Sequence, residues 1–145
     1  MQITPADQVT GVSESTDATA GIHLCADLWG CDPSILTDQS FLKDLAVEAA
    51  QEAGATLCEV VAVNFPARMP ADLAGVTVVA VLAESHLSIH TYPETGYAAV
   101  DIFTCGPTCD TYKGYAYIKG RLAPTRDSVT VVLRGNPNRS LSTIP

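Results

Sequence analysis

The sequence predicts an α+β domain, a two-layer α/β sandwich in which a mostly antiparallel sheet carries two helices on one face. The periodic segments run in the order β, α, β, β, β, β, α, β with no internal repeat, and only two of them have helical spacing. Placing both helices on the same side is the simplest way to bury their apolar stripes. The third observation is size. At 145 residues and 47% hydrophobic content, the chain fits one compact domain whose core needs neither disulfide nor metal.

The elements follow in order. Residues 1–20 are rich in Thr, Ser and Asp without periodicity and read as a flexible arm. From Ile22 to Trp29 two sets of side chains alternate, Ile22, Leu24, Ala26 and Leu28 against His23, Cys25, Asp27 and Trp29, which is strand spacing. Thr37 or Asp38 can cap a helix whose apolar positions are Leu42, Leu45, Ala46, Ala49 and Ala53, with Gly54 as its stop. A strand over Leu57–Phe65 and a loop punctuated by Pro66 and Pro70 come next. The nearly continuous apolar run Val76–Ala83 then reads as a central strand with both faces covered. Ser85–Tyr92 and Tyr97–Thr104 form a hairpin around Pro93, Glu94, Thr95 and Gly96. A weaker helix, broken by Gly114 and Gly120, spans Cys109–Leu122, and a last strand covers Ser128–Leu133. The ordered domain is therefore residues 21–135, with 136–145 as a tail.

Charge narrows the partners. Sixteen acidic and eight basic residues give a net charge of −8, which repels phosphate backbones and anionic lipid, so neither nucleic acid nor a membrane surface is expected. No basic start precedes an apolar run at the N-terminus, and the longest apolar stretch, Val78–Ala83, is far short of a bilayer span. These features predict a cytoplasmic protein, with Cys25, Cys31, Cys58, Cys105 and Cys109 as thiols. The odd count and the lack of a CxxC pair argue against a disulfide framework or a zinc ribbon. His86 and His90 would suit zinc at helical spacing, but Ile89, Thr91 and Pro93 favour a strand, so no metal is predicted.

The segment GVTVVAVLAESHLSIHTYPETGYAAVDIFTCG, residues 75–106, stands apart. A serine can attack the carbonyl of the residue before it to give an ester, and β-elimination then cuts the chain. The segment resembles the processing and active site of the small prokaryotic S-adenosylmethionine decarboxylases, which are pyruvoyl enzymes. ESHLSIHTYPE followed by TCG is long and specific, and a looser similarity runs from GIHLCADLWGC to about Gly135.

The resemblance implies self-cleavage between Glu84 and Ser85, with Ser85 becoming a pyruvoyl group and no external cofactor needed. A keto group of this kind accepts a substrate amine as a Schiff base and takes up the electrons of the breaking carboxylate bond. It also implies an elimination assisted by His90, Cys105 as proton donor, and Thr77 in the place of a serine that aids processing. Tyr92 would stack on adenine and Glu94 would hold ribose hydroxyls. The implied product is decarboxylated S-adenosylmethionine for polyamine (spermidine) biosynthesis, made by a homodimer of processed protomers with active sites near the interface. One departure concerns substrate. A second stacking Phe usual in the family is replaced by Ala71, and the adjacent Asp72 could pair with a guanidinium or ammonium group. Decarboxylation of arginine or ornithine is thus the alternative, and a non-catalytic partner subunit is the alternative of another class. Ser85 and His90 lie five residues apart, on opposite faces of a regular strand, so a turn or bulge is expected to bring them together before cleavage.

Overall fold

The structure is a computed structural model that describes residues 20–65 and 73–135. Its elements are β1 (Gly21–Trp29), α1 (Pro33–Leu36), α2 (Gln39–Glu52), β2 (Leu57–Asn64), β3 (Val76–Leu82), β4 (Ser85–Tyr92), β5 (Tyr97–Cys105), α3 (Thr111–Leu122) and β6 (Arg126–Arg134). The strands form one six-stranded sheet in the order β2-β3-β4-β5-β1-β6, with every neighbouring pair antiparallel. α2 lies over β2, β3 and β4, α3 lies over β1 and β5, and the two helices pack against each other. The α+β sandwich expected from the sequence is therefore what forms. The predicted arm, except for Ala20, and the predicted tail lie outside the described residues, as do Ala71 and Asp72.

Local chemistry explains the helices. Asp38 caps α2 by accepting a hydrogen bond from the Phe41 N–H at 2.9 Å, satisfying a donor that the first turn would otherwise leave open. α1 is a single turn absent from the sequence reading. Asp32 accepts from the Ser34 N–H at 2.9 Å and Pro33 opens the turn, but four residues are too few to show a helical period. Asp110 caps α3 in the same way through the Lys113 N–H. Contrary to expectation, Gly114 does not break α3. A Cβ there would stand 3.1 Å from both the Ala49 carbonyl oxygen and the Ala53 Cβ, so glycine is what lets the two helices approach.

Leu24, Leu28, Leu87, Ile89 and Ile102 from the sheet and Leu42, Leu45, Ile118 and Leu122 from the helices are all buried in one core. Alternation sends the other residues of each strand to the opposite face, and no helix covers that face among the described residues. This corrects the reading of β3 as covered on both sides. Val79 and Val81 are 37% and 45% exposed, and Val61 and Val63 beside them on β2 are both 52% exposed. The apolar run is continuous because both faces of the strand carry apolar residues, although only one is covered among the described residues.

Replacing Gly114 by leucine should force α3 away from α2. The expected loss is about 1–3 kcal/mol, read as a lower urea midpoint at unchanged slope.

Candidate active site

The turn between β3 and β4 consists of Ala83 and Glu84, and both are pinned. The Ala83 N–H donates to the Thr56 carbonyl at 2.9 Å, and the Glu84 carboxylate accepts from the Thr56 N–H at 2.9 Å. That backbone hydrogen bond holds the Glu84 carboxyl below its ordinary pKa. On the other side, the Glu84 carbonyl oxygen accepts from the Cys105 N–H at 3.3 Å and from the Cys105 thiol at 2.9 Å. Two donors thus converge on the carbonyl that a Ser85 hydroxyl would attack, the arrangement that stabilises charge developing on that oxygen.

Ser85 itself has φ 156°, far from the −140° typical of an antiparallel strand. Strand parity assigns it to the helix side with Leu87, yet its Oγ stands 3.3 Å from Nδ1 of His86 on the open side. A backbone value that L-residues rarely adopt sits at the Glu84–Ser85 bond. Nε2 of His86 is 2.8 Å from Oδ2 of Asp101, and Nε2 of His23 reaches the same oxygen at 2.8 Å. Ser88 donates to Oδ1. Burial alone would raise the Asp101 pKa, but the hydrogen bonds from Ser88, His23 and His86 outweigh it and lower it.

A second group occupies the far end of β4. Thr77 and His90 are directly paired across β3 and β4, with Oγ1 of Thr77 2.8 Å from Nδ1 of His90. The His90 ring is flanked by Phe65 at 4.9 Å and Tyr92 at 4.6 Å, and burial lowers its pKa. Tyr92 stacks on Tyr97 at 5.3 Å, and Tyr97 stacks on Trp29 at 5.9 Å, so a row of rings crosses this end of the open face. The Tyr97 hydroxyl donates to Asp27, and burial together with that bond pushes its pKa up to about 12. Glu94 is exposed in the single 3₁₀ turn Pro93–Thr95 that follows Tyr92.

With this geometry in place, comparison with known proteins is informative. The profile of the S-adenosylmethionine decarboxylase family matches residues 22–135. An S-adenosylmethionine decarboxylase proenzyme from Brevibacillus brevis is 42% identical over 118 residues, covering 81% of this chain and 84% of the relative. A proenzyme of the same name from Synechococcus sp. is 42% identical over 117 residues, covering 81% and 87%. The crystal structure of the adenosylmethionine decarboxylase from Aquifex aeolicus superposes with a TM-score of 0.74 at 34% identity, covering 86% of this chain and 98% of that one.

The chain belongs to the S-adenosylmethionine decarboxylase family. Among the residues the sequence singled out, the fold brings Glu84, Ser85 and Cys105 together at one end of β4 and Thr77, His90 and Tyr92 together at the other. It does not join the two sets. β4 pairs without a register shift with β3 from Ser85 to His90 and with β5 from Ser85 to Tyr92, so the expected bulge is absent. Five strand steps place Ser85 and His90 roughly 17 Å apart. Asp72 lies outside the described residues. The sequence alone gives no site role to His23, Trp29, Phe65, Tyr97 or Asp101. Asp101 had a signal in the sequence, as the one acid within the apolar strand YAAVDIFTC. No helix among the described residues is long and apolar enough to cross a membrane.

Desolvation keeps His90 neutral to lower pH than an exposed imidazole. In an NMR titration its midpoint should fall below the ordinary histidine value of about 6.5, and Phe65→Ala, by admitting water, should move it back up.

Proposed function

We propose that this chain is a self-processing, pyruvoyl-dependent S-adenosylmethionine decarboxylase. It cuts itself between Glu84 and Ser85 and converts S-adenosylmethionine to its decarboxylated form for polyamine (spermidine) biosynthesis. The observation that carries the reading is the Glu84 carbonyl, held by the Cys105 N–H and thiol next to a serine hydroxyl, in a chain whose relatives are named proenzymes. Pinning at Thr56 and Cys105 fixes the bond while the hydroxyl attacks. The cut would leave residues 1–84 and 85–145 as two subunits of one protomer.

Once formed from Ser85, the pyruvoyl keto group supplies the electron sink that decarboxylation needs, with no external cofactor. The Cys105 thiol, already within reach of the 84–85 bond, returns a proton to the substrate α-carbon. Tyr92 and the neighbouring rings offer a face for adenine and for the sulfonium cation, and the exposed Glu94 carboxylate offers acceptors for ribose hydroxyls. The names of the relatives favour S-adenosylmethionine over arginine or ornithine. All five cysteines are unpaired, which suits a reducing compartment, and we place the enzyme in the cytoplasm.

The split between the two sets supports assembly as a homodimer. His90 and Thr77 cannot serve the Ser85 of their own chain across roughly 17 Å, so a second copy brings its far end over this one. The open sheet face, with Val61, Val63, Val79 and Val81 exposed, is the surface available for that homodimer.

Purified chain should resolve into two bands on denaturing electrophoresis, whereas Ser85→Ala should stay whole; an uncut wild-type chain after long incubation rejects the reading. Co-expressed Ser85→Ala and His90→Ala chains should cut the His90→Ala copy, which neither variant achieves alone. For substrate, carboxylate-labelled S-adenosylmethionine should release carbon dioxide, while arginine and ornithine should not. Glu94→Gln should lower kcat/KM about 10- to 150-fold, the equivalent of about 1.5–3 kcal/mol for a hydrogen bond to a charged group.

A further inference from the structure

His86, Asp101 and His23 form a cluster on the open face that the decarboxylase reading leaves without a role. We propose that His86 is the base that takes the Ser85 hydroxyl proton in the first step of self-processing, with Asp101 as its positioning residue. The proposal rests on the self-processing reading above and adds the group that starts it.

The tautomers follow from the partners. Nδ1 of His23 faces the Arg134 guanidinium at 3.4 Å, and a guanidinium only donates, so Nδ1 accepts and Nε2 carries the hydrogen shared with Asp101. An ionised carboxylate only accepts. Nε2 of His86, 2.8 Å from the same oxygen, must therefore carry its own hydrogen, which leaves a lone pair on Nδ1. That lone pair faces Ser85 Oγ at 3.3 Å. The sequence carboxylate, imidazole, hydroxyl is thus continuous, with each hydrogen bond pointing the way that activation requires. Ser88 and His23 hold the carboxylate so that it cannot turn away.

The three ligating groups could also gather around a cation, since their donor atoms lie within 4.8 Å of one another. Both Nε2 atoms already carry hydrogens committed to the carboxylate, and a guanidinium stands behind His23. The hydrogen-bonded relay accounts for every one of these contacts; a metal would have to break two of them.

The step balances without a co-reactant. The Ser85 hydroxyl proton passes to Nδ1 of His86 as Oγ bonds to the Glu84 carbonyl carbon, and the oxyanion rests on the Cys105 donors. The carbon–nitrogen bond then breaks, Nδ1 returns the proton to the Ser85 nitrogen, and an ester with a free amine results. His90 is left for the later elimination, so loss of either histidine should stop processing at a different place.

The test uses the full chain, with hydroxylamine to detect an ester at 84–85. His90→Ala should accumulate hydroxylamine-sensitive chain. His86→Ala should accumulate uncut, hydroxylamine-resistant chain, cutting at least about 100-fold more slowly than wild type, and added imidazole should restore cleavage. His86→Asn, which keeps a hydrogen-bonding group near Nδ1 without a base, should behave likewise if the alanine variant does not fold. Asp101→Asn should slow ester formation without abolishing it. Folding is checked against Ser85→Ala by thermal melting. A folded His86 variant that cuts at the wild-type rate, or one that imidazole does not rescue, overturns the proposal while the self-processing reading stands. A wild-type chain that never cuts overturns both.

Discussion

The unbroken antiparallel register of β4 between β3 and β5 governs everything else in this molecule. Because side chains alternate with a period of two, fixing Leu87, Ile89 and Thr91 in the core fixes His86, Ser88, His90 and Tyr92 on the open face. A slip of one residue would put two imidazoles into the core and two apolar side chains into water. The core side enforces the register through more than hydrophobic burial. The Thr91 hydroxyl donates to the Leu36 carbonyl at 2.7 Å and accepts from the Val76 N–H at 2.9 Å, tying α1, β3 and β4 at one point. Gly75 stands just ahead of β3, where any Cβ would fall 2.2 Å from the Thr91 carbonyl oxygen. The strand that carries the candidate chemistry is thus held in one register from both sides.

That rigidity has a cost at Ser85. The strand begins there with a φ that a residue with a Cβ adopts only under constraint, at an expense on the order of 1–3 kcal/mol. The surrounding contacts supply the constraint: Thr56 grips Ala83 and Glu84 from one side and Cys105 grips the Glu84 carbonyl from the other. If the 84–85 bond is cut as proposed, cleavage would release this strain, which a permanent backbone could not do. Under the proposed self-processing, the same Cys105 would serve before the cut, by polarising the Glu84 carbonyl, and after it, as the proton donor.

Much of the fold was legible because its signals are local. Period-two alternation located β1, the turn residues Pro93 to Gly96 between strand-like runs located β4 and β5, and Asp38 with the Leu42, Leu45, Ala46, Ala49 spacing located α2. What failed to show was long-range. The single turn of α1 is stabilised by a cap and by Thr91, 55 residues away. Gly114 looked like a helix breaker because nothing in its own segment reveals the backbone of α2 lying against it. Val79 and Val81 looked buried because a sequence reports how apolar a face is, not what lies over it, and among the described residues nothing does. The candidate site divides in the same way. The run ESHLSIHTYPE displays Ser85, His90, Tyr92 and Glu94, but the partner that orients His86 lies on β5 and the second imidazole lies on β1, 78 residues from Asp101.

The open face holds two unlike surfaces, and their combination explains how it can be covered. Valines on β2 and β3 favour burial at roughly 25 cal/mol per Å² removed from water. Histidines and an aspartate on β1, β4 and β5 would oppose it if they entered the interface unpaired. They do not enter unpaired: Asp101 is bonded by His23, His86 and Ser88, His23 by Arg134 and His90 by Thr77. Among the described residues, no buried side-chain nitrogen or oxygen lacks a partner. A network satisfied within one chain is tolerated in an interface and strengthened by it, since excluding water lowers the local dielectric around each hydrogen bond. Pairing of two such faces would therefore sharpen the groups that a cut at Ser85 requires, and it would supply the imidazole that a single sheet holds too far away.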